Sequence, residues 1–250
     1  MILVVDAGNT RTKWAVFGSD GKVAEKGILM NAELAQAQTP EAWQSCERAV
    51  VASVAHPQVE ASIADLLKTY AVAAEWLKSQ SQFAGLKNAY QSPEKLGVDR
   101  WAAMIAAWKN YAQQSSCLVV NAGTALTIDA IHQNEFIGGL IAPGLAMLQQ
   151  GFIHQTAQVN SEYGLYQDFP CNTADASYSG ALNAMAGAVL IELNKLAKKA
   201  QQAPKLVLSG GDADLLKPVL ESLNLAPLLA RDLVLEGLFL LTETKKGEAK

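Results

Sequence analysis

Residues 4–16, VVDAGNTRTKWAV, align without a gap on residues 119–131, VVNAGTALTIDAI. Two valines, an alanine, a glycine, a threonine and a second alanine recur at equivalent places. Each copy reads as a strand, a tight turn containing glycine, and a second strand. A third strand-like run follows each, Val23–Leu29 in the first and residues 135–142 in the second. Helical periodicity comes after both. A repeat of such long period signals two similar α/β halves rather than a solenoid. Two βββαβα halves facing each other would form a cleft, a usual place for a ligand. The boundary is expected near Gln113-Gln114-Ser115-Ser116, giving halves 1–114 and 115–250.

The other elements follow from periodicity. Arg48–Ser53 reads as a buried strand. Pro57 opens a helix to about Tyr70, with Val59, Ile63, Leu66 and Leu67 on one face. Residues 94–113, rich in alanine and tryptophan, read as one helix. Helices are expected at about 144–155 and 173–200, then a strand at 205–209 and helices at 212–222 and 231–243.

Composition excludes several classes. The chain is half hydrophobic and only 18% charged, which argues for packed cores and against disorder. A net charge of −4 argues against duplex binding, which favours a basic surplus. Cys46, Cys117 and Cys171 are scattered and odd in number, so they read as reduced thiols, and no pair has metal-ligand spacing. The N-terminal MILVVD is too short and too soon charged for a signal peptide. The uncharged stretch Phe136–His154 is broken by Gly138, Gly139, Pro143, Gly144 and Gly151, so it does not read as a membrane span. A cytoplasmic protein without nucleic-acid or membrane partners is expected.

Four segments carry chemistry. In Asp6-Ala7-Gly8-Asn9-Thr10 an acid ends a buried strand at a glycine turn. Turn N–H groups can meet phosphate oxygens, Asp6 can hold Mg²⁺ directly or through water, and Lys13 on the second strand can meet a β- or γ-phosphate. Read alone, this is equally an ordinary hairpin. Asn121-Ala122-Gly123-Thr124-Ala125 repeats it, and two such turns can grip one polyphosphate from both sides. Leu208-Ser209-Gly210-Gly211-Asp212 is a strand–glycine–helix turn, where two glycines let a flat ring approach the backbone and Ser209 offers a hydroxyl; this suits adenosine. In the segment Tyr90–Trp101, Asp99 and Arg100 stand at a helix start behind Gly97. Asp99 can accept a proton from a substrate hydroxyl, and Arg100 can fork onto a carboxylate or carbonyl. No GxxxxGK[ST] or GxGxxG is present. His56, His132 and His154 lack metal spacing and read as structural or exposed.

The ordered set DAGNTRTKW, YQSPEKLGVDRW, NAGTALTID with FIGGLIAPGL, NTADASYSG and LSGGDA resembles the type III pantothenate kinases over essentially the whole chain. The resemblance implies the duplicated actin/hexokinase-like (ribonuclease H-like) α/β fold. It implies a homodimer that phosphorylates pantothenate with ATP and Mg²⁺ at the first step of coenzyme A synthesis, using a monovalent cation, K⁺ or NH₄⁺. It places ATP against Asp6, Gly8, Asn9, Thr10, Lys13, Gly123 and Thr124. Pantothenate falls against Tyr90, Gly97, Asp99, Arg100 and Thr173, with Asp99 as general base. Asn121 stands where the family usually has an Asp that helps hold the monovalent cation, so cation binding is expected to be weaker. Gly180, Ala184, Gly187 and Ala188 form a small-residue stripe expected at a helix–helix dimer contact. Two alternatives are a kinase or phosphatase of the same fold with another substrate, and a non-catalytic regulator. Asn121 favours the second; Asp6, Lys13, Asp99 and Arg100, all retained, oppose it.

Overall fold

A computed structural model of the chain describes residues 1–155 and 164–243. It divides into two compact units, one of Met1–Ala107 with the C-terminal helix after Asp232, the other of Trp108–Arg231.

In the first unit, β1 (Ile2–Ala7), β2 (Arg11–Phe17) and β3 (Val23–Met30) form an antiparallel meander, and β4 (Arg48–Ser53) and β5 (Ala73–Trp76) add in parallel on the β1 side, in the order β3-β2-β1-β4-β5. Leu3, Val5, Ala7, Trp14 and Val16 face α1 (Pro57–Thr69) and the turns before it, in a core with Trp43, Ile63 and Leu67. The alternate positions face α2 (Val98–Ala106) and α6 (Leu233–Glu243), where Phe17 stacks on Phe239 at 4.3 Å between ring centres. Because successive strand residues point to opposite faces, Asp6 and Lys13 belong to the α2 side. A short hairpin, β6 (Gln82–Phe83) and β7 (Leu86–Asn88), precedes the Tyr90 segment.

The second unit repeats the plan. Here β8 (Cys117–Ala122), β9 (Ala125–His132) and β10 (Glu135–Pro143) form the antiparallel meander, and β11 (Lys205–Ser209) and β12 (Pro227–Leu229) add in parallel beside β8. Read from the other end, the order β12-β11-β8-β9-β10 is the same as in the first unit. Leu118, Val120, Leu126, Ile128, Leu206 and Leu208 pack under α4 (Thr173–Ala200) and α5 (Ala213–Ser222), while α3 (Leu145–Gln155) lies against α4 and β10. Asn172 caps α4, its side chain accepting from the Asp175 N–H at 2.9 Å.

Three features differ from the periodicity. The helix expected over 94–113 is broken: a 3₁₀ turn at Pro93–Lys95, extended backbone at Leu96 and Gly97, α2 from Val98, and a π-helical turn over Ala107–Tyr111. The division between units falls at Ala107/Trp108 rather than at 114/115. The last helix returns to the first unit, because α6 buries Leu233, Leu235 and Leu238 there and the Thr242 carbonyl accepts from the Arg48 guanidinium at 3.3 Å. Gly237 makes this return feasible: a side chain there would strike the backbone of Ala102 in α2.

Candidate active site

Asp6 ends β1 and pairs in register with Lys13 of β2. The turn between them closes with the Gly8 N–H donating to the Arg11 carbonyl at 3.2 Å. Burial first, and then the nearby Asp99 carboxylate, push the Asp6 carboxyl from 3.8 up to about 7, with Lys13 opposing both. Asp99 lies in the first turn of α2 and is also raised, chiefly by burial. It is better compensated than Asp6, because it accepts backbone N–H bonds from Arg100 and from its own residue and feels the Arg100 charge. Asp99 therefore ionises first, and the repulsion falls on Asp6.

Gly97 has a local reason. A Cβ there would sit 2.6 Å from Asp99 Oδ1, so glycine lets the carboxylate keep this position over the helix start. Arg100, read from sequence as either a ligand fork or a solvated side chain, is only 7% exposed. A guanidinium withdrawn from water beside a carboxylate is oriented rather than solvated. Tyr90 is exposed. Its N–H donates to Asn88 Oδ1 at 3.1 Å, an Asx turn, while Asn88 Nδ2 donates to the Gln80 carbonyl at 3.0 Å. The hydroxyl of buried Ser79 donates to the Leu96 carbonyl at 2.9 Å. Asn88 and Ser79 thus frame the Tyr90–Gly97 segment, and neither was identified from sequence. The Asn-x-Tyr spacing before the motif was an available signal for Asn88; Ser79 has none.

In the second unit the turn between β8 and β9 closes with the Gly123 N–H donating to the Ala125 carbonyl at 3.1 Å. Neither Gly8 nor Gly123 has positive φ, and a Cβ would lie 3.3 Å from the Arg11 carbonyl oxygen in one and 3.9 Å from that of Ala125 in the other. The turn backbone itself therefore does not demand glycine; a missing side chain leaves the turn open to approach. Gly210 is different. Its φ is +104°, and a Cβ would collide with the backbone of Ala122. The Asp212 N–H donates to the Ala122 carbonyl at 2.9 Å, so the Gly210-Gly211 turn rests directly on the second glycine turn. Ser209 is buried beside Asn121, its neighbour in register, so its hydroxyl is not presented to solvent, whereas Gly211 is exposed. Asn121, Thr127 and Ser209 are neighbours in register across three strands. Thr173 opens α4 and is exposed.

Among the described residues no cluster of three or more His, Cys, Asp or Glu forms a metal cage. The residues present suit Mg²⁺, which is commonly held by one or two carboxylates plus substrate phosphates. Asp6 and Asp99 repel one another, and a cation beside Asp6 would relieve that repulsion. His132 shares a 2.9 Å hydrogen bond with Ser116, and His56 caps α1; the side chain of His154 lies outside the described residues. Cys117 is buried and its thiol pushed up to about 12, an inert group. No described helix is long and apolar enough to cross a membrane.

Asp6 titrates near 7 folded and near 3.8 unfolded, so between those values the folded state holds the extra proton. Its contribution to stability is full below about pH 4 and is lost as pH rises through about 7. Without ligands, the protein is expected to lose melting temperature between about pH 4 and 7. Asp6→Asn should lose less. Parallel curves for the two proteins would contradict the assignment.

A glycine turn after the first strand of each unit, the neighbouring Asp6 and Asp99 carboxylates with Lys13 beside them, and the strand order that both units share are the features of an ATP-dependent phosphotransferase of the actin/hexokinase-like fold. Solved structures agree in fold: the chain superposes with a TM-score of 0.61 on a conserved putative Baf family transcriptional activator from Campylobacter jejuni (20% identity, 98% and 99% of the two chains). It superposes equally, at 0.61, on a putative 2-dehydro-3-deoxygalactonokinase from Sinorhizobium meliloti (13% identity, 100% of both). The family model for type III pantothenate kinase matches residues 2–194. The chain is 42% identical over 246 residues to the type III pantothenate kinase of Methylobacillus flagellatus, covering 95% of this chain and 96% of the relative. It is 38% identical to that of Nitrosospira multiformis, over 99% and 94%. The chain belongs to the type III pantothenate kinase family.

Proposed function

We propose that the protein transfers the γ-phosphoryl group of ATP to the primary hydroxyl of pantothenate, giving 4′-phosphopantothenate for coenzyme A synthesis in the cytoplasm. The observation that carries this reading is the grouping of Asp6, Lys13, Asp99 and Arg100 within the first unit, where burial raises the Asp99 carboxyl toward the proton-accepting range while Arg100 and backbone N–H groups partly offset that rise. Asp99 takes the proton from the attacking hydroxyl. Arg100 binds and orients the polar end of pantothenate, with Tyr90 and Gly97. The turns Gly8-Asn9-Thr10 and Gly123-Thr124 offer N–H groups and hydroxyls to the phosphates, with Lys13 near the transferred group. Gly210 and Gly211 receive the adenosine end, and Ser209 supports that turn from behind. Mg²⁺, held by Asp6, supplies charge neutralisation when bound. The test is ATP turnover with pantothenate against a panel of other hydroxy acids. Selective turnover of pantothenate supports the reading, and equal or greater turnover of another acceptor removes it.

Asn121 is assigned to the monovalent cation. An amide keeps an oxygen ligand and loses the charge, so K⁺ activation is expected to saturate at higher concentration than in Asn121→Asp. Titrating K⁺ against turnover, with choline holding ionic strength, checks this; identical curves would show that residue 121 is remote from the cation.

The active form is assigned as a homodimer joined along α4. Gly180 and Ala184 are exposed, a Cβ on Gly180 or Gly187 would meet nothing within 4 Å, and Ile191, next along the stripe, is 55% exposed. In this reading Thr173 of one subunit completes the partner's pantothenate pocket. Sedimentation and activity should respond together to Gly187→Glu: a monomer that binds ATP and binds pantothenate poorly. A fully active monomer would contradict both claims.

A further inference from the structure

Asn31 stands immediately after β3, outside every motif above, yet it makes three hydrogen bonds to the first glycine turn. Its Nδ2 donates to the Gly8 carbonyl at 2.7 Å, its Oδ1 accepts from the Thr12 hydroxyl at 2.9 Å, and its N–H donates to the Thr10 carbonyl at 3.2 Å. Thr12 is fully buried, so its hydroxyl is a fixed anchor. The turn itself is closed by a single backbone bond, Gly8 to Arg11. The side chain therefore bridges the two arms of the turn, Gly8 on entry and Thr12 on exit.

The bond to Gly8 has a directional consequence. In a trans peptide the C=O and the following N–H point in opposite directions. Drawing the Gly8 carbonyl toward Asn31 aims the Asn9 N–H away from it. Asn9 is exposed, and its N–H donates to no described residue. The second unit braces its turn from the same place by other means. There Gly144, just after the third strand, donates its N–H to the Thr124 carbonyl at 3.1 Å, and a Cβ on Gly144 would strike the Gly123 and Thr124 carbonyls. One half braces its turn with a side-chain amide on the Gly8 carbonyl, the other with a backbone N–H on the Thr124 carbonyl.

We propose that Asn31 is a positioning residue for the nucleotide, fixing the Gly8–Asn9 peptide plane so that the Asn9 N–H meets a phosphate oxygen. This rests on the reading of the Gly8 turn as a phosphate site. The Thr12 hydroxyl belongs to the same device, holding the Asn31 amide in the orientation that puts nitrogen toward Gly8.

Two variants test it. Asn31→Ala removes the clamp, and Thr12→Val removes only its anchor while keeping side-chain shape and adding no charge. Titration calorimetry with a non-hydrolysable Mg·ATP analogue is the direct readout, with KM for each substrate beside it. Losing an oriented hydrogen bond of this kind is expected to weaken nucleotide binding about tenfold. KM for pantothenate should stay within about twofold. Equal weakening for nucleotide and pantothenate would mark a general structural role and overturn the proposal. So would unchanged nucleotide affinity in both variants, whatever the melting temperatures do. Failure of the underlying reading shows separately, as absent nucleotide binding in the unaltered protein, and would overturn this proposal with it.

Discussion

Asp99→Asn is expected to lower kcat by roughly 10²–10⁴-fold, the usual worth of a general base. The amide is nearly isosteric and still fits over Gly97, so α2 should start as before. ATP binding should hold or tighten. The Asp99 charge is the second-largest cause of the raised Asp6 carboxyl, so removing it lets Asp6 ionise more readily and hold a cation better. The expected signature is therefore a kcat collapse with an ATP dissociation constant that is unchanged or smaller. Turnover within a few-fold of the natural protein would remove Asp99 as the base. A kcat loss accompanied by weaker ATP binding would instead place its role in holding the metal and phosphates.

Gly210→Ala should be the most damaging single-methyl change at the nucleotide turns. Its φ of +104° is outside what alanine adopts readily, and its Cβ would occupy the backbone of Ala122. Strain and overpacking of this kind cost about 1–3 kcal/mol each. With the two costs together at about 2–6 kcal/mol and roughly 2–4 °C per kcal/mol for a chain of this size, melting should fall by about 4–24 °C. Nucleotide affinity should fall as well, because the Asp212–Ala122 hydrogen bond couples the third turn to the second. Gly123→Ala is the comparison: its Cβ meets the Ala125 carbonyl oxygen at an ordinary 3.9 Å, so stability should change little. Equal melting losses in the two variants would show that the Gly210 contact is not what holds these turns together.

Much of the architecture was written locally. The meanders β1–β3 and β8–β10 follow from runs and alternations whose period is set by the strand itself, and their turns are marked by glycine. The gapless match of 4–16 on 119–131 anticipated the shared strand order of the two units. Asp6, Asp99 and the motifs around them could be named because acid, glycine and helix start lie within a few residues of one another. The edge strands Ala73–Trp76 and Pro227–Leu229 left no such trace: they are short, and most of the first is exposed, so no alternation is imposed on it.

What the tertiary structure alone decided is a matter of contacts between distant residues. Gly97 lies in extended backbone just before α2, where the Asp99 carboxylate takes the space a side chain would fill, and Arg100 is buried because its neighbours cover it. The final helix joins the first unit through Phe17, Arg48 and Ala102, none of them near it in the chain. Asn31 finds Gly8, 23 residues earlier, only once β3 has paired with β2. Periodicity records which face of an element is buried. It carries no information about which partner covers that face, because hydrophobic burial is non-directional. The directional interactions that aim the Asn9 amide and orient Asp99 and Arg100 exist only after the strands and helices have packed.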